Sequence, residues 1–307
     1  MTPTGGTDVE IEGRQLRLTN LDKVLYPQTG FAKRDVLTYY AKIAPVMVPH
    51  LAGRPATFRR YPDGVDGKSF FEKNVPSHAP SWVKTVVVPS NRDDDAGRPR
   101  DTVEHVVIAD TATLIWAANL AALELHVPLW RSTRSGTRAA HPDFGVFDLD
   151  PGPGTSVVDC GRLAIWIADF VEANGHQRPL VKTSGSKGLQ LYLRYREPIT
   201  WDKAREWALG IAEVMEREHP ELVVTSMKKA KRDGKILIDW SQNHPVKTTV
   251  AVYSLRARPE PTVSTPVTWD EVAACVRSED PDDLKFCAFD VLERVERDGD
   301  LFASLIS

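Results

Sequence analysis

Two aspartates two residues apart open the chemistry of this chain. The stretch Phe144-Gly-Val-Phe-Asp-Leu-Asp-Pro-Gly-Pro-Gly154 has the pattern of a strand from Phe144 to Asp150 that stops at Pro151. Successive side chains on a strand point to opposite faces, so Asp148 and Asp150 share one face at its C-terminal end. Val146, Phe147 and Leu149 crowd around them. Two carboxylates beside an apolar wall repel each other and resist burial unless something neutralises them. A divalent cation is the commonest answer, because hard cations take carboxylate oxygens and fill their remaining positions with water and phosphate. The plainer alternative is a strand end at the surface, with both carboxylates solvated and the Pro-Gly run a simple turn.

Lys235-Ile-Leu-Ile-Asp-Trp240 is a second short apolar strand, with Asp239 near its end. If it neighbours the first, three carboxylates meet. That is the minimum for a two-metal site, in which one ion activates an attacking oxygen and the other steadies a leaving phosphate. Between the two lies Lys182-Thr-Ser-Gly-Ser-Lys-Gly-Leu-Gln-Leu-Tyr192, a turn opening into an apolar strand. Ser184, Lys187 and the turn's backbone N–H groups could meet phosphate oxygens. The P-loop spacing is absent, and so is the Gly-x-Gly-x-x-Gly dinucleotide fingerprint.

Composition bounds what these residues can serve. The chain has 307 residues, 42% apolar and 26% charged, which suits a folded globular protein. No run of 18 apolar residues appears, so no membrane span is expected. No charged-then-apolar leader opens the chain, so no secretory signal is expected. Three scattered cysteines fit neither a disulfide framework nor a zinc site and suit a reducing cytoplasm. The net charge of −3 does not advertise nucleic acid, but it is uneven. From Val223 to Arg258 eight basic residues face two acidic ones, a net +6 around Asp239. A basic run bracketing a candidate metal ligand points to a polyanionic substrate.

Met1 to Asp8 is small and polar and is expected to be disordered. Strands are expected over Val9–Thr19, and an amphipathic helix over Lys33–Ala44 with Val36, Leu37, Tyr40 and Ile43 inside and Pro45 ending or kinking it. Asn20 to Pro27 reads as a turn or short helix. Further strands are expected near 56–60, 82–89, 103–108, 123–130, 179–183, 189–196 and 248–255, and helices near 111–122, 156–174, 200–218, 268–276 and 282–298. Asn91 to Thr102 is a charged loop without period, and Arg131 to His141 a basic one. No repeat and no low-complexity linker divides the chain, so one domain over 1–307 is expected. The mixture is α+β, with the acidic strands in an antiparallel or mixed sheet.

Taken together, Asp-Leu-Asp-Pro-Gly, Ser-Gly-Ser-Lys-Gly-Leu and Ile-Asp-Trp-Ser-Gln-Asn make the chain resemble the polymerase domain of bacterial DNA ligase D, in the archaeo-eukaryotic primase superfamily. The likeness runs from Leu18 to Asp298. It includes Leu-Thr-Asn-Leu-Asp-Lys-Val-Leu-Tyr-Pro from Leu18, Phe-Phe-Glu-Lys from Phe70, Glu-Leu-His-Val-Pro from Glu124 and Lys-Thr-Thr-Val-Ala-Val-Tyr-Ser-Leu-Arg-Ala from Lys247. The resemblance implies a primase-like catalytic core, with Asp148, Asp150 and Asp239 as metal ligands. It implies triphosphate contacts at His126, Ser184, Lys187, Arg232, Gln242 and Arg256. Lys23 and Lys33 match the pair that holds the 5′-phosphate of the strand downstream of a gap, and Phe70 and Phe71 match aromatics on template bases. Alternation along a strand would put one of these two phenylalanines inside. Gln190 stands where the family pattern has histidine. Glutamine can hydrogen-bond a phosphate but carries no charge.

The function this implies is template-directed nucleotidyl transfer filling short gaps in DNA repair, with Mn²⁺ or Mg²⁺ and a preference for ribonucleotides. Its partners would be gapped or broken duplex DNA with a 5′-phosphate, NTP or dNTP, and a separate ligase and end-binding proteins, since no ligase or nuclease module is expected on the chain. End joining and excision-type repair both remain open, and the setting would be the cytoplasm, at the nucleoid. The rival readings are a primase starting chains de novo, a DNA-end binding module with weakened catalysis, and a metal-dependent phosphohydrolase.

Overall fold

The computed structural model describes residues 6–89, 102–133 and 141–306. The chain forms two compact units, neither contiguous in sequence. The first gathers Met1–Ala139, Val250–Thr262 and Cys287–Gly299; the second gathers Ala140–Thr249, Val263–Phe286 and Asp300–Ser307. Strands and helices are mixed in both, and the class is α+β.

In the second unit the acidic strand Phe144–Pro151 lies inside a six-stranded sheet, between Ile236–Asp239 on one side and Leu189–Arg194 on the other. Both neighbours run antiparallel to it. Leu180–Thr183 and then Pro266–Val267 extend the sheet beyond Leu189–Arg194, and Val223–Val224 adds a parallel edge beside Ile236–Asp239. The sheet is therefore mixed, as its sequence pattern suggests. Phe147, Leu149, Leu189, Leu191, Ile236 and Ile238 cover one face. They pack against Leu163, Ile167 and Val171 of the Val157–Ala173 helix, Ile211 and Met215 of Trp201–Glu218, and Val272 of Trp269–Ser278. That leaves the opposite face, where Asp148 and Asp239 point, for polar work.

In the first unit Pro55–Arg60 is the central strand, pairing with Ala122–Val127 and Thr102–Val107, while the short Phe70–Glu72 hangs on its end. The helix Lys33–Leu51 buries Val36, Leu37, Tyr40, Ile43 and Met47. It does not end at Pro45 but runs through Pro45 and Pro49. Both prolines are solvent-exposed and four apart on one face, so water can satisfy the carbonyls their missing N–H groups leave. The buried face continues unbroken through Ala44, Met47, His50 and Leu51 and carries the helix on.

Three other expectations change. Gly6, Thr7 and Asp8 are not frayed; they belong to the Gly6–Ile11 strand and pair with Thr19, Leu18 and Arg17, while residues 1–5 lie outside the described residues. Within 20–27 the expected turn is present at Asn20 to Lys23, where Lys23 N donates to Asn20 O at 3.0 Å, but a strand, Val24–Tyr26, follows it. The strand expected over 248–255 shrinks to Thr249–Val250, because the backbone turns at Ala251 to Ser254 and Tyr253 adopts a positive φ of 64°. The charged loop at 91–102 and the basic loop at 131–141 fall largely outside the described residues. Among the described residues no helix is long and apolar enough to cross a membrane.

Candidate active site

In the second unit the strand register puts Asp148 directly opposite Asp239, with Asp150 opposite Leu237. Directly opposed residues share a face, so two carboxylates face each other and a third follows one step along. Burial pushes Asp148 up to about 7; the Asp150 charge and then Asp239 add to that push, while Gln190 donation and the Lys182 charge pull it back. Asp239 is 8% exposed. Its Oδ1 accepts from Ser241 N at 3.0 Å and Ser241 Oγ at 2.5 Å, and its Oδ2 accepts from Gln242 Nε2 at 3.0 Å. Gln242 Oε1 is buried with no hydrogen-bond partner among the described residues.

Among the described residues no three acidic, histidine or cysteine groups close around one ion. The donors present are hard oxygens: the three carboxylates, of which Asp148 is pushed toward protonation by burial and its neighbours' charge, and the Gln242 amide oxygen beside Asp239, unpartnered among the described residues. They suit a divalent cation of the kind held by one or two carboxylates and completed by water and phosphate.

Two glycines bring the flanking turns onto this strand. A Cβ at Gly188 would lie 1.9 Å from the Leu149 carbonyl oxygen, so the Ser184–Gly188 turn rests on backbone between the two aspartates. Ser184 Oγ accepts from Ser186 N at 3.2 Å and Gly188 N at 3.1 Å, which folds the turn; Lys187 projects from it, exposed. A Cβ at Gly152 would lie 1.8 Å from the Arg232 carbonyl oxygen, so the basic 228–235 segment packs on the Pro-Gly-Pro-Gly turn. Arg232 donates from one terminal nitrogen to the Met227 carbonyl at 2.9 Å, and its Nε is buried without a partner among the described residues. An orphaned guanidinium donor fits an anion. Gln190 is 3% exposed, with its amide oxygen accepting from Lys182 Nζ at 2.6 Å. Its amide is engaged inside the sheet rather than offered to a phosphate.

The first unit carries the remaining expected residues in a cluster of opposite sign. Buried Glu124 accepts from His126 Nε2 at 3.1 Å and from Ala257 N at 3.1 Å. It pairs with Arg256 Nε at 3.4 Å and with Arg59 at 3.8 Å. Burial raises the Glu124 carboxyl, but His126, Arg256 and the Ala257 N–H outweigh it and hold it at about 2. Burial pushes His126 below its usual value, Glu124 pulls it up, and Arg256 and Arg59 push it down again. Glu124, Arg59 and, in the second unit, Lys182 carry no expected role from the sequence. The signal for Glu124 was available: it sits two residues before His126, on the same strand face.

Lys23 and Lys33 are joined through backbone, Lys33 N donating to Lys23 O at 2.9 Å. Lys23 Nζ meets Asp63 at 2.9 Å. Lys33 is 5% exposed, and no ion pair to its ammonium is found among the described residues. Burial, with the Lys23 and Arg60 charges behind it, pulls its pKa down to about 8. Phe70 and Phe71 are both exposed, at 46% and 59%, because a three-residue strand on the sheet margin has no second layer to bury either ring. The Phe71 ring meets His126 edge-on at 5.8 Å, and Arg60 lies 5.3 Å over Phe70.

Comparison with known proteins identifies the family. The family described as LigD, primase-polymerase domain, matches residues 32–302. The multifunctional non-homologous end joining protein LigD of Mycolicibacterium smegmatis is 43% identical over 293 residues, which cover 95% of this chain and 36% of that protein. The bifunctional LigD of Bacillus subtilis is 30% identical over 93% of this chain and 43% of its own length. The chain thus spans well under half of these relatives. The solved polymerase domain from Mycobacterium tuberculosis ligase D, in complex with DNA, matches with a TM-score of 0.85 at 41% identity, covering 95% of this chain and 98% of that one. The chain belongs to the family of LigD primase-polymerase domains, and with it to the DNA-directed nucleotidyltransferases.

Proposed function

We propose that the protein fills short gaps during DNA end repair, adding nucleotides to a primer 3′-hydroxyl on a template. The observation that carries this reading is the opposed pair Asp148 and Asp239 with Asp150 alongside, where burial and then the Asp150 and Asp239 charges push Asp148 toward protonation. Mn²⁺ or Mg²⁺ held there would supply Lewis-acid chemistry, lowering the pKa of the attacking hydroxyl and neutralising charge on the leaving pyrophosphate. Asp148, Asp150 and Asp239 would hold the ions, with Ser241 and Gln242 keeping Asp239 in place through hydrogen bonds. In the second unit Lys187, Ser184 and the Arg232 donor offer hydrogen bonds to phosphate; in the first, Arg256 offers a positive donor and His126 an imidazole, both held by Glu124.

Lys33 is a buried ammonium with no ion pair among the described residues, and Lys23 stands beside it. Both support recognition of a downstream 5′-phosphate. Exposed Phe70 and Phe71 offer stacking surfaces that any base can use. The solved relative in complex with DNA favours the same substrate. Sugar preference is assigned to ribonucleotides on the family resemblance alone. A separate ligase would seal the product, and the bacterial cytoplasm is where we place the reaction.

The test is primer extension on a short-gapped duplex with Mn²⁺, comparing NTP with dNTP, a downstream 5′-phosphate with a 5′-hydroxyl, and wild type with Asp239→Ala. Extension that needs Asp239 and improves with the 5′-phosphate is the expected outcome. Extension indifferent to the phosphate would remove the Lys23–Lys33 role and favour de novo priming. DNA binding without extension would leave only an end-binding module.

A further inference from the structure

One line of side chains crosses four neighbouring strands of the second unit. Asp239 is opposite Asp148, Asp148 is opposite Gln190, and Gln190 is opposite Lys182. Direct partners share a face, so two acids, an amide and an amine stand in a row. The amine is deep inside, with Lys182 1% exposed. Its Nζ donates to Gln190 Oε1 at 2.6 Å and to Ser264 Oγ at 2.5 Å, and Ser264 Oγ donates on to the Thr183 carbonyl at 2.9 Å. Tyr192 OH approaches the same Gln190 oxygen at 3.4 Å.

An ammonium only donates, so the amide atom it touches must be the oxygen. Lys182 thereby decides which way the Gln190 amide faces. The NH₂ end is left to turn along the row toward Asp148, where it acts as a donor to the carboxylate.

The geometry points to Lys182 and Gln190 as a pair of positioning residues for Asp148: Lys182 locks the Gln190 amide, and the locked amide presents a donor that aims the Asp148 carboxylate at a divalent cation. This inference rests on the metal reading above. It also accounts for glutamine where the family pattern has histidine. A neutral imidazole accepts at one nitrogen and donates at the other, which is the same pattern between an ammonium and a carboxylate. The charge that glutamine lacks is present one strand away, on Lys182.

The test is direct titration of Mn²⁺ alone, followed by electron paramagnetic resonance of the free ion, into wild type, Gln190→Leu, Gln190→His, Lys182→Met and the Lys182→Met/Gln190→Leu double variant. Loss of an outer partner of a metal ligand costs about tenfold or more in metal affinity, so Gln190→Leu and Lys182→Met should each weaken Mn²⁺ by about tenfold, and Gln190→His should stay within about threefold of wild type. The double variant should lose little more than either single one, because the two residues act as a unit. Primer extension by Gln190→Leu should recover as Mn²⁺ is raised. If Lys182→Met fails to fold, the contrast between Gln190→Leu and Gln190→His decides. Mn²⁺ binding by Gln190→Leu equal to wild type, or equal losses in the Leu and His variants, overturns the inference while the aspartate reading stands. Mn²⁺ binding indifferent to Asp148→Asn and Asp239→Asn overturns both.

Discussion

The polar clusters of the two units are built on one plan with the signs exchanged. In the second unit carboxylates gather at a strand end, and a single buried lysine, Lys182, stands behind them. In the first, His126, Arg256 and Arg59 gather around a single buried acid, Glu124. Each inner counter-ion fixes the geometry of its cluster but does not cancel the charge. Surplus charge shows in each unit: Asp148 is pushed up to about 7, and Lys33, beside Lys23 and Arg60 rather than in the Glu124 cluster, down to about 8. Both are driven toward neutrality by burial and like charges. On the function proposed above, the acidic surplus would serve cations, and the basic groups of both units would serve phosphates.

The harshest way to break this comparison is to empty the acidic side. Asp239→Ala should lower primer extension on the order of a thousandfold, matching the several kcal/mol that a metal-held charge contributes, while DNA binding measured by fluorescence anisotropy persists. Removing the inner acid of the other unit should do less. Glu124→Gln weakens charge-assisted bonds worth roughly 1.5–3 kcal/mol, so nucleotide KM should rise about tenfold to a hundredfold with a smaller change in kcat. Its folded pKa lies below the ordinary 4.5, so Glu124 stabilises the fold above that value and the contribution is lost as pH falls toward 2. The glutamine variant should show a flatter acid limb in urea unfolding.

Smaller effects sharpen the contrast. Lys33→Met should abolish the advantage of a downstream 5′-phosphate, about tenfold for one charged contact of ~1.4 kcal/mol. In wild type that advantage should fade as pH rises through 8 and Lys33 loses its proton. Because the unfolded chain holds that proton up to about 10.5, stability without DNA should rise with pH between 8 and 10.5, and the methionine variant should lose this rise. Asp148 has the opposite sense. Its raised pKa stabilises the fold fully below pH 3.8, and that contribution is lost as pH climbs through 7. In chelator at pH 8, Asp148→Asn should therefore raise Tm, by about 2–4 °C per kcal/mol recovered, with solvent at the half-buried carboxylate keeping the gain small. A lower Tm would mean that the carboxylate cluster carries no surplus charge.

The acidic strand was legible in the sequence because period-two alternation and a terminal proline leave few other readings for Phe144–Pro151. That Asp239 would lie opposite Asp148 was not, since register between distant strands depends on packing that no local pattern encodes. Pro45 misled for a related reason: its cost depends on which face of the helix it occupies, and burial elsewhere outweighed it. The inner counter-ions were the hardest to read. Glu124 and Lys182 look like ordinary strand charges until cross-strand neighbours bury them. Gln190 looked like an impaired phosphate ligand, and only its contact with Lys182 shows that its amide is engaged within the sheet.

The interleaving of the two units bears on how the protein is made. The first unit is incomplete without Cys287–Gly299, and the second without Asp300–Ser307. A nascent chain emerging from the ribosome therefore completes neither until nearly all 307 residues are translated. For most of synthesis the acidic strand waits without its full surroundings, exposed to chaperones and proteases. Nonsense truncation near residue 286 would cost both units at once rather than sparing one.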